Sequence, residues 1–145
     1  MKKIKIPLKL LKLDENGFHL LVEVFIFGQK YYAVLDTGAS KTVFDKTAIQ
    51  AHIAFEMLIS TDKVSTGLGT NSMESHTLVI PCLELGKLKL MDFEVAILDL
   101  SAISHAYAML DLPPVIGVIG GDILQQYSAN IDYKLSKLTL FLPSV

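Results

Sequence analysis

One aspartate in this sequence stands apart by its surroundings. In Val34-Leu35-Asp36-Thr37-Gly38-Ala39-Ser40 a carboxylate follows an apolar run and falls at once into a turn built on glycine. A carboxyl group so placed suits general acid–base work, because burial and neighbouring like charge both move carboxyl titration towards the pH at which protons must be exchanged. Gly38 lets a second backbone segment approach closely. Thr37 offers a hydroxyl that can bond backbone groups inside the turn. The same residues are good turn formers, so alone the motif reads equally well as an ordinary strand-ending turn.

Two other segments carry glycine at telling places. Gly67-Leu68-Gly69 lies in the polar stretch from Lys63 to Thr77. It is no phosphate loop, since no Lys-Ser/Thr follows and no helix starts there. Val118-Ile119-Gly120 is an apolar run leading into Gly121-Asp122-Ile123-Leu124, and Gly120 follows Asp36 by 84 positions. Asp122 reads as the N-cap of a helix from Ile123 to Tyr127, with Gln125 completing a capping box. The remaining reactive side chains read as structural. His19, His52, His76 and His105 have no metal-ligand spacing and are expected on the surface or on helices. Cys82, in an apolar strand, reads as a buried inert thiol, and Asp132 as a solvated strand residue. Neither a metal site nor a cofactor motif is evident.

The elements that must position Asp36 are short strands. His19–Phe27 and Tyr31–Leu35 form a hairpin about Gly28-Gln29-Lys30. Thr42–Phe44 follows, then a helix from Asp45 as N-cap through Ile49 to His52. Leu78–Leu85 and Leu88–Leu98 pair about Gly86-Lys87. Ser101–Leu110 reads as a helix stopped by Pro113-Pro114. Val115–Gly120 is a buried strand, and Ala129–Tyr133 and Lys137–Leu142 close the chain. At the start, Ile4, Ile6, Leu8 and Leu10 share one face and Lys3, Lys5 and Lys9 the other. With Pro7 this reads as an edge strand, residues 1–14 forming an N-terminal extension. About nine strands and one to three short helices make the fold mostly β, a barrel or sandwich. No linker or internal repeat divides residues 1–145, which read as one domain.

Composition narrows the function. The chain has 145 residues, 51% hydrophobic and 19% charged, so disorder is excluded. A single cysteine excludes a disulfide framework. The net charge is −2 and every basic residue is lysine, which argues against a nucleic-acid partner. No run is long and apolar enough for a spanning helix. Lysines interrupt the start of the chain where a signal peptide would need an apolar core. The expectation is a cytoplasmic protein with no membrane partner. So much apolar surface in a chain of single-domain size points instead to pairing with something.

Taken together, Leu35-Asp36-Thr37-Gly38-Ala39-Ser40, then Gly67-Leu68-Gly69, then Val118-Ile119-Gly120-Gly121-Asp122-Ile123-Leu124 resemble the retropepsin-like aspartic proteases, over roughly Leu20 to Leu142. The resemblance implies a closed β-barrel of the retropepsin-like acid protease type. It implies Asp36 as the catalytic carboxylate, with Thr37, Gly38 and Ala39 supporting its loop and Gly67, Leu68 and Gly69 at the tip of a flap over an extended polypeptide substrate. Val118, Ile119 and Gly120 would form the second-motif strand. Such enzymes hold one proton between two carboxylates about 3 Å apart, as is general for aspartic-protease dyads. This chain has one Asp-Thr-Gly, so the resemblance implies a homodimer with one Asp36 from each chain activating the water. Thr37 would bond across the twofold axis, and Leu138–Leu142 would serve the interface. No metal or cofactor is required.

The chain also departs from that pattern. Ser40 and Gly121 stand where many viral relatives carry an acid and an arginine, so the contacts of that ion pair must be made otherwise. Ala39 stands where pepsin-like enzymes place a serine bonded to the catalytic carboxylate. Two other functions fit the same residues less fully: a dimeric peptide-binding module that does not cut, and a small β-barrel carrying an apolar ligand. The residue at position 39 yields a test. Without a hydroxyl stabilising the ionised carboxylate, hydrolysis should be fastest at a less acidic pH than in pepsin-like enzymes. A rate profile peaking below about pH 3 would contradict this.

Overall fold

The apolar alternation read from the sequence closes on itself. A computed structural model describes residues 2–13, 17–53, 59–60 and 75–143. The chain runs β1 (Lys2–Leu13), β2 (Gly17–Ile26), β3 (Gln29–Leu35), β4 (Val43–Asp45), α1 (Lys46–Gln50), β5 (Ile59–Ser60), β6 (His76–Leu85), β7 (Leu88–Leu98), α2 (Ser101–Met109), β8 (Val115–Ile119), α3 (Gly121–Leu124), β9 (Asn130–Asp132) and β10 (Lys137–Leu142). Neighbouring strands follow the order β6-β7-β4-β8-β3-β2, and Phe25 of β2 pairs with Glu84 of β6, closing a six-stranded barrel. Alternate residues of these strands fill its interior. Val22, Val24, Ala33, Phe44, Ile80, Val95, Ile97 and Ile119 are wholly buried there. Each of these side chains other than Ala33 contributes about 1.5–3 kcal/mol of hydrophobic stabilisation. Among the described residues no helix is long and apolar enough to cross a membrane.

The hairpin of β2 and β3 turns one residue earlier than expected, on Phe27 and Gly28, both at positive φ (51° and 74°). A two-residue turn that matches strand twist needs positive φ at both central positions. Gly28 takes the second, and Phe27 is drawn into the first.

Read as an edge strand, β1 instead joins two sheets. Lys2–Pro7 pairs with β10 and Leu8–Leu13 with β2, so the handover falls beside Pro7, which has no N–H to donate. Ile4, Ile6 and Leu8 are buried as expected, but the next buried residue is Leu11, and Leu10 is 43% exposed. Beyond the handover the opposite face of the strand is the covered one. The terminal strand β10 lies between β1 and β9, with Leu138 and Leu140 wholly buried. Those two side chains pack in the chain's own core. Along β6 the covered face also switches, between Ile80 and Leu83, which leaves Cys82 half-buried where a buried thiol was expected. His76, expected at the surface, is buried.

One crossing decides where the chemistry sits. Although β3 and β4 are successive, β8 lies between them, parallel to β3 and antiparallel to β4. Val118 is thereby opposite both Val34 and Val43. The residues joining β3 to β4 must pass around the C-terminal end of β8, and these include Asp36. The β4–β8 contact is so close that a Cβ on Gly117 would lie 1.9 Å from the Val43 carbonyl oxygen. Gly117→Ala is expected to destabilise the fold by about 3 kcal/mol or more, read from its urea midpoint. A loss under about 1 kcal/mol would show that β4 can retreat from β8.

Candidate active site

The Asp36–Thr42 segment and the Ile119–Asp122 segment hold each other. The Asp36 N–H donates to the Ile119 carbonyl at 3.0 Å, continuing the β3–β8 pairing past the end of β3. The turn then tightens. The Gly38 N–H donates to Asp36 Oδ1 at 3.0 Å and the Ala39 N–H to the Asp36 carbonyl at 3.1 Å. A carboxylate accepting a backbone N–H is fixed in direction by the turn itself. Asp36 is half-buried, while Thr37 and Gly38 are exposed. The Thr37 hydroxyl, which could bond inside the turn, makes no hydrogen bond among the described residues; the turn bonds there are made by the Gly38 and Ala39 N–H groups.

The carbonyls of this turn satisfy the start of α3. The Gly121 N–H donates to the Ala39 carbonyl at 2.7 Å and the Asp122 N–H to the Ser40 carbonyl at 3.1 Å. The first N–H groups of a helix have no partner within it, and here the Asp36 turn supplies them. These backbone bonds, Gly121 to Ala39 and Asp122 to Ser40, join the two segments that carry Ser40 and Gly121. Gly120 makes the approach possible. A Cβ there would lie 2.7 Å from the Lys41 carbonyl and 2.8 Å from that of Ala39.

Thr42 completes the ring, and the sequence reading did not single it out. Wholly buried, its hydroxyl donates to Asp122 Oδ1 at 2.8 Å and accepts from the Gly120 N–H at 3.1 Å. The Thr42 N–H donates to Asp122 Oδ2 at 2.9 Å. Asp122 is therefore not the expected N-cap. The cap is Gly120, the helix is Gly121–Leu124, and Gln125, expected to complete a capping box, is instead the C-cap. The Asp122 carboxylate faces Thr42, 80 positions earlier, because there it accepts both a buried N–H and a hydroxyl. A hydroxyl just before the apolar Val43-Phe44 was the available signal, but its partner was visible only in three dimensions.

At the surface nearby, Lys41 pairs with Glu94 at 2.9 Å, an exposed ion pair of little energetic weight. The structure thus brings Asp36, Thr37, Gly38 and Ala39 together with Val118, Ile119 and Gly120. Gly67, Leu68 and Gly69 lie outside the described residues, as does nearly all of the stretch read as a flap. Asp132, expected to be merely solvated, is exposed and accepts the Leu135 N–H at 3.0 Å, shaping the turn into β10. Among the described residues, no group of three or more His, Cys, Asp or Glu side chains is placed to hold a metal ion.

The Thr42 ring has a measurable weight. Thr42→Val keeps the shape but leaves the Gly120 N–H without its acceptor and removes a donor from Asp122. The expected loss is about 2–4 kcal/mol in chemical denaturation, most of it recovered in Thr42→Ser. A Val variant as stable as the parent would show that the ring carries no such load.

Comparison with known proteins agrees with this geometry. The sequence model of a family described as "Aspartyl protease" matches residues 22–123. The fold is similar to that of a retropepsin-like aspartic protease from Rickettsia conorii, with a TM-score of 0.58 and 19% identity over 96% of this chain and 88% of that one. It is also similar to the retroviral protease-like domain of Ddi1 from Leishmania major, with a TM-score of 0.59 and 19% identity over 86% of this chain and 94% of that one. Comparison with curated protein sequences gives no match.

Proposed function

The chain belongs to the aspartyl protease family, and from that premise we propose that it is an endopeptidase whose active site is completed by a second copy of itself. The observation that carries this reading is the setting of Asp36. Its carboxylate is oriented by the Gly38 N–H, in a turn whose next two residues are exposed. The sequence offers only one Asp-Thr-Gly. A twofold axis beside Thr37 and Gly38 would bring two such turns face to face and make one site from two equal halves.

In that site the two Asp36 carboxyls share one proton. The ionised member takes a proton from a water, which attacks the scissile carbonyl. The protonated member donates to the carbonyl oxygen, and the amine leaves with a proton returned from the pair. The Asp36 turn holds each carboxylate in place before substrate arrives, so little reorganisation accompanies the reaction. An extended polypeptide is the substrate, covered by the segment with Gly67, Leu68 and Gly69 as its tip, which excludes water from the site. Residues 1–145 act as one domain, each domain half of the enzyme.

Two measurements test the reading separately. Wild type should cleave members of an unstructured peptide library, and Asp36→Asn should lower the rate by at least ~1,000-fold. Cleavage that survives the substitution would remove Asp36 from the mechanism. Sedimentation should show a dimer for both proteins. A strict monomer at high concentration would leave half a site and overturn the dimeric part.

A further inference from the structure

The barrel interior is not the only core of this chain. A second cluster, Leu11, Leu21, Val34, Tyr107 and Val115, lies on the outer face of the sheet formed by β1, β2, β3 and β8. Leu13, Tyr32, Leu112 and Val118 are partly buried against it. Its roof is α2, the helix inserted between β7 and β8. From Ser101 to Leu110 that stretch has no Asp, Glu, Lys or Arg, and Tyr107 is its one buried helical residue. Tyr107 is fastened at its tip: its hydroxyl is hydrogen-bonded to His19 Nδ1, and the two rings stack with centroids 5.8 Å apart. Burial pushes the Tyr107 pKa above its ordinary value. The helix entry is also held, since the Ser101 N–H donates to Asp99 Oδ1 at 2.9 Å.

The place of this roof gives it a use. Along β3, Ala33 and Leu35 pack with the barrel interior and Val34 with the outer cluster. By the same alternation Asp36 falls on the outer face, two strand positions or roughly 7 Å beyond Val34. Val118, opposite Val34 and only half-buried, extends the apolar surface beside Asp36. A peptide lying across Asp36 would set a side chain next to its scissile bond against Val34 and Val118, with Tyr107 and Leu112 standing beyond.

Building on the protease reading, we propose that α2 forms a wall of the substrate cleft, and that Tyr107, tethered by His19, limits the size of the apolar side chain accepted beside the scissile bond. Tyr107 is in this role a specificity-determining residue and His19 a positioning one.

The test is made by binding, so that it does not depend on hydrolysis. In the Asp36→Asn background, a pool of extended peptides differing at one central residue (Ala, Val, Leu, Phe or Trp) is measured with Tyr107 intact and with Tyr107→Leu. The affinity for Phe and Trp peptides relative to Ala and Val peptides is expected to rise by about tenfold or more. Should Tyr107→Leu fail to fold, Leu112→Ala opens the same wall from its half-exposed edge, with a shift in the same direction. A helix that serves only stability would change all affinities by one common factor, and that result overturns the proposal. Absence of peptide binding to every protein overturns it equally, since α2 would then border no cleft. Failure of the protease reading looks different: peptides bind selectively, yet wild type cleaves none of them at any pH.

Discussion

The passage of β8 between β3 and β4 is the constraint on which the rest of this structure depends. Two strands joined by seven residues cannot pair with each other once a third lies between them, so their connection must go around its end. That connection is the Asp36 turn. The geometry is held by backbone contact too close for a Cβ at Gly117 or Gly120. It is locked by a ring of hydrogen bonds through Ala39, Ser40, Thr42, Gly120, Gly121 and Asp122. Within the ring each partner satisfies a need of the other. The helix start has N–H groups to place, the turn has carbonyls, and Thr42 and Asp122 complete what is left. Buried polar groups are costly only when unpaired.

A carboxylate carried on such a turn gains direction without extra machinery. Asp36 is aimed by the N–H of a residue two positions on, and the turn is anchored at both ends to β8. The neighbouring sheet surface is apolar and continues under α2. The Asp36 carboxylate, just past the end of β3, therefore lies two positions along the chain from Val34, which packs with the outer cluster. The high apolar content of the chain follows from this arrangement. The barrel interior takes one share, and a second core outside the barrel takes another, so α2 can be an uncharged helix and still have a seat.

Much of this was legible in the residues. The strands could be read because alternation has a period of two and glycine marks their ends. The Asp36 turn could be read because Asp-Thr-Gly is turn chemistry on consecutive residues; the close backbone approach expected at Gly38 is found instead at Gly120, since among the described residues a Cβ on Gly38 would meet only Asp36 Oδ1. What escaped depended on partners far away in the chain. Asp122 has the form of an N-cap, and local chemistry alone favours that role. Thr42, just before β4, offers its carboxylate better donors. Leu10 and Leu11 are both apolar, and only the handover of β1 from β10 to β2 selects Leu11 for burial.

The sequence by itself determined the chemistry on offer: one Asp-Thr-Gly, a glycine-ended apolar strand far downstream, and a mostly β chain to hold them. Those are properties of residue type and short-range spacing, which act before any long-range contact forms. The tertiary structure alone decided which carboxylate would aim outward and which would brace the turn, and which face of β3 would carry the approach to Asp36. The physical reason is that both choices are made by hydrogen bonds and packing across about 80 residues of chain, between Thr42 and Asp122 and between Val34 and Tyr107. Such contacts exist only after β8 has taken its place between β3 and β4.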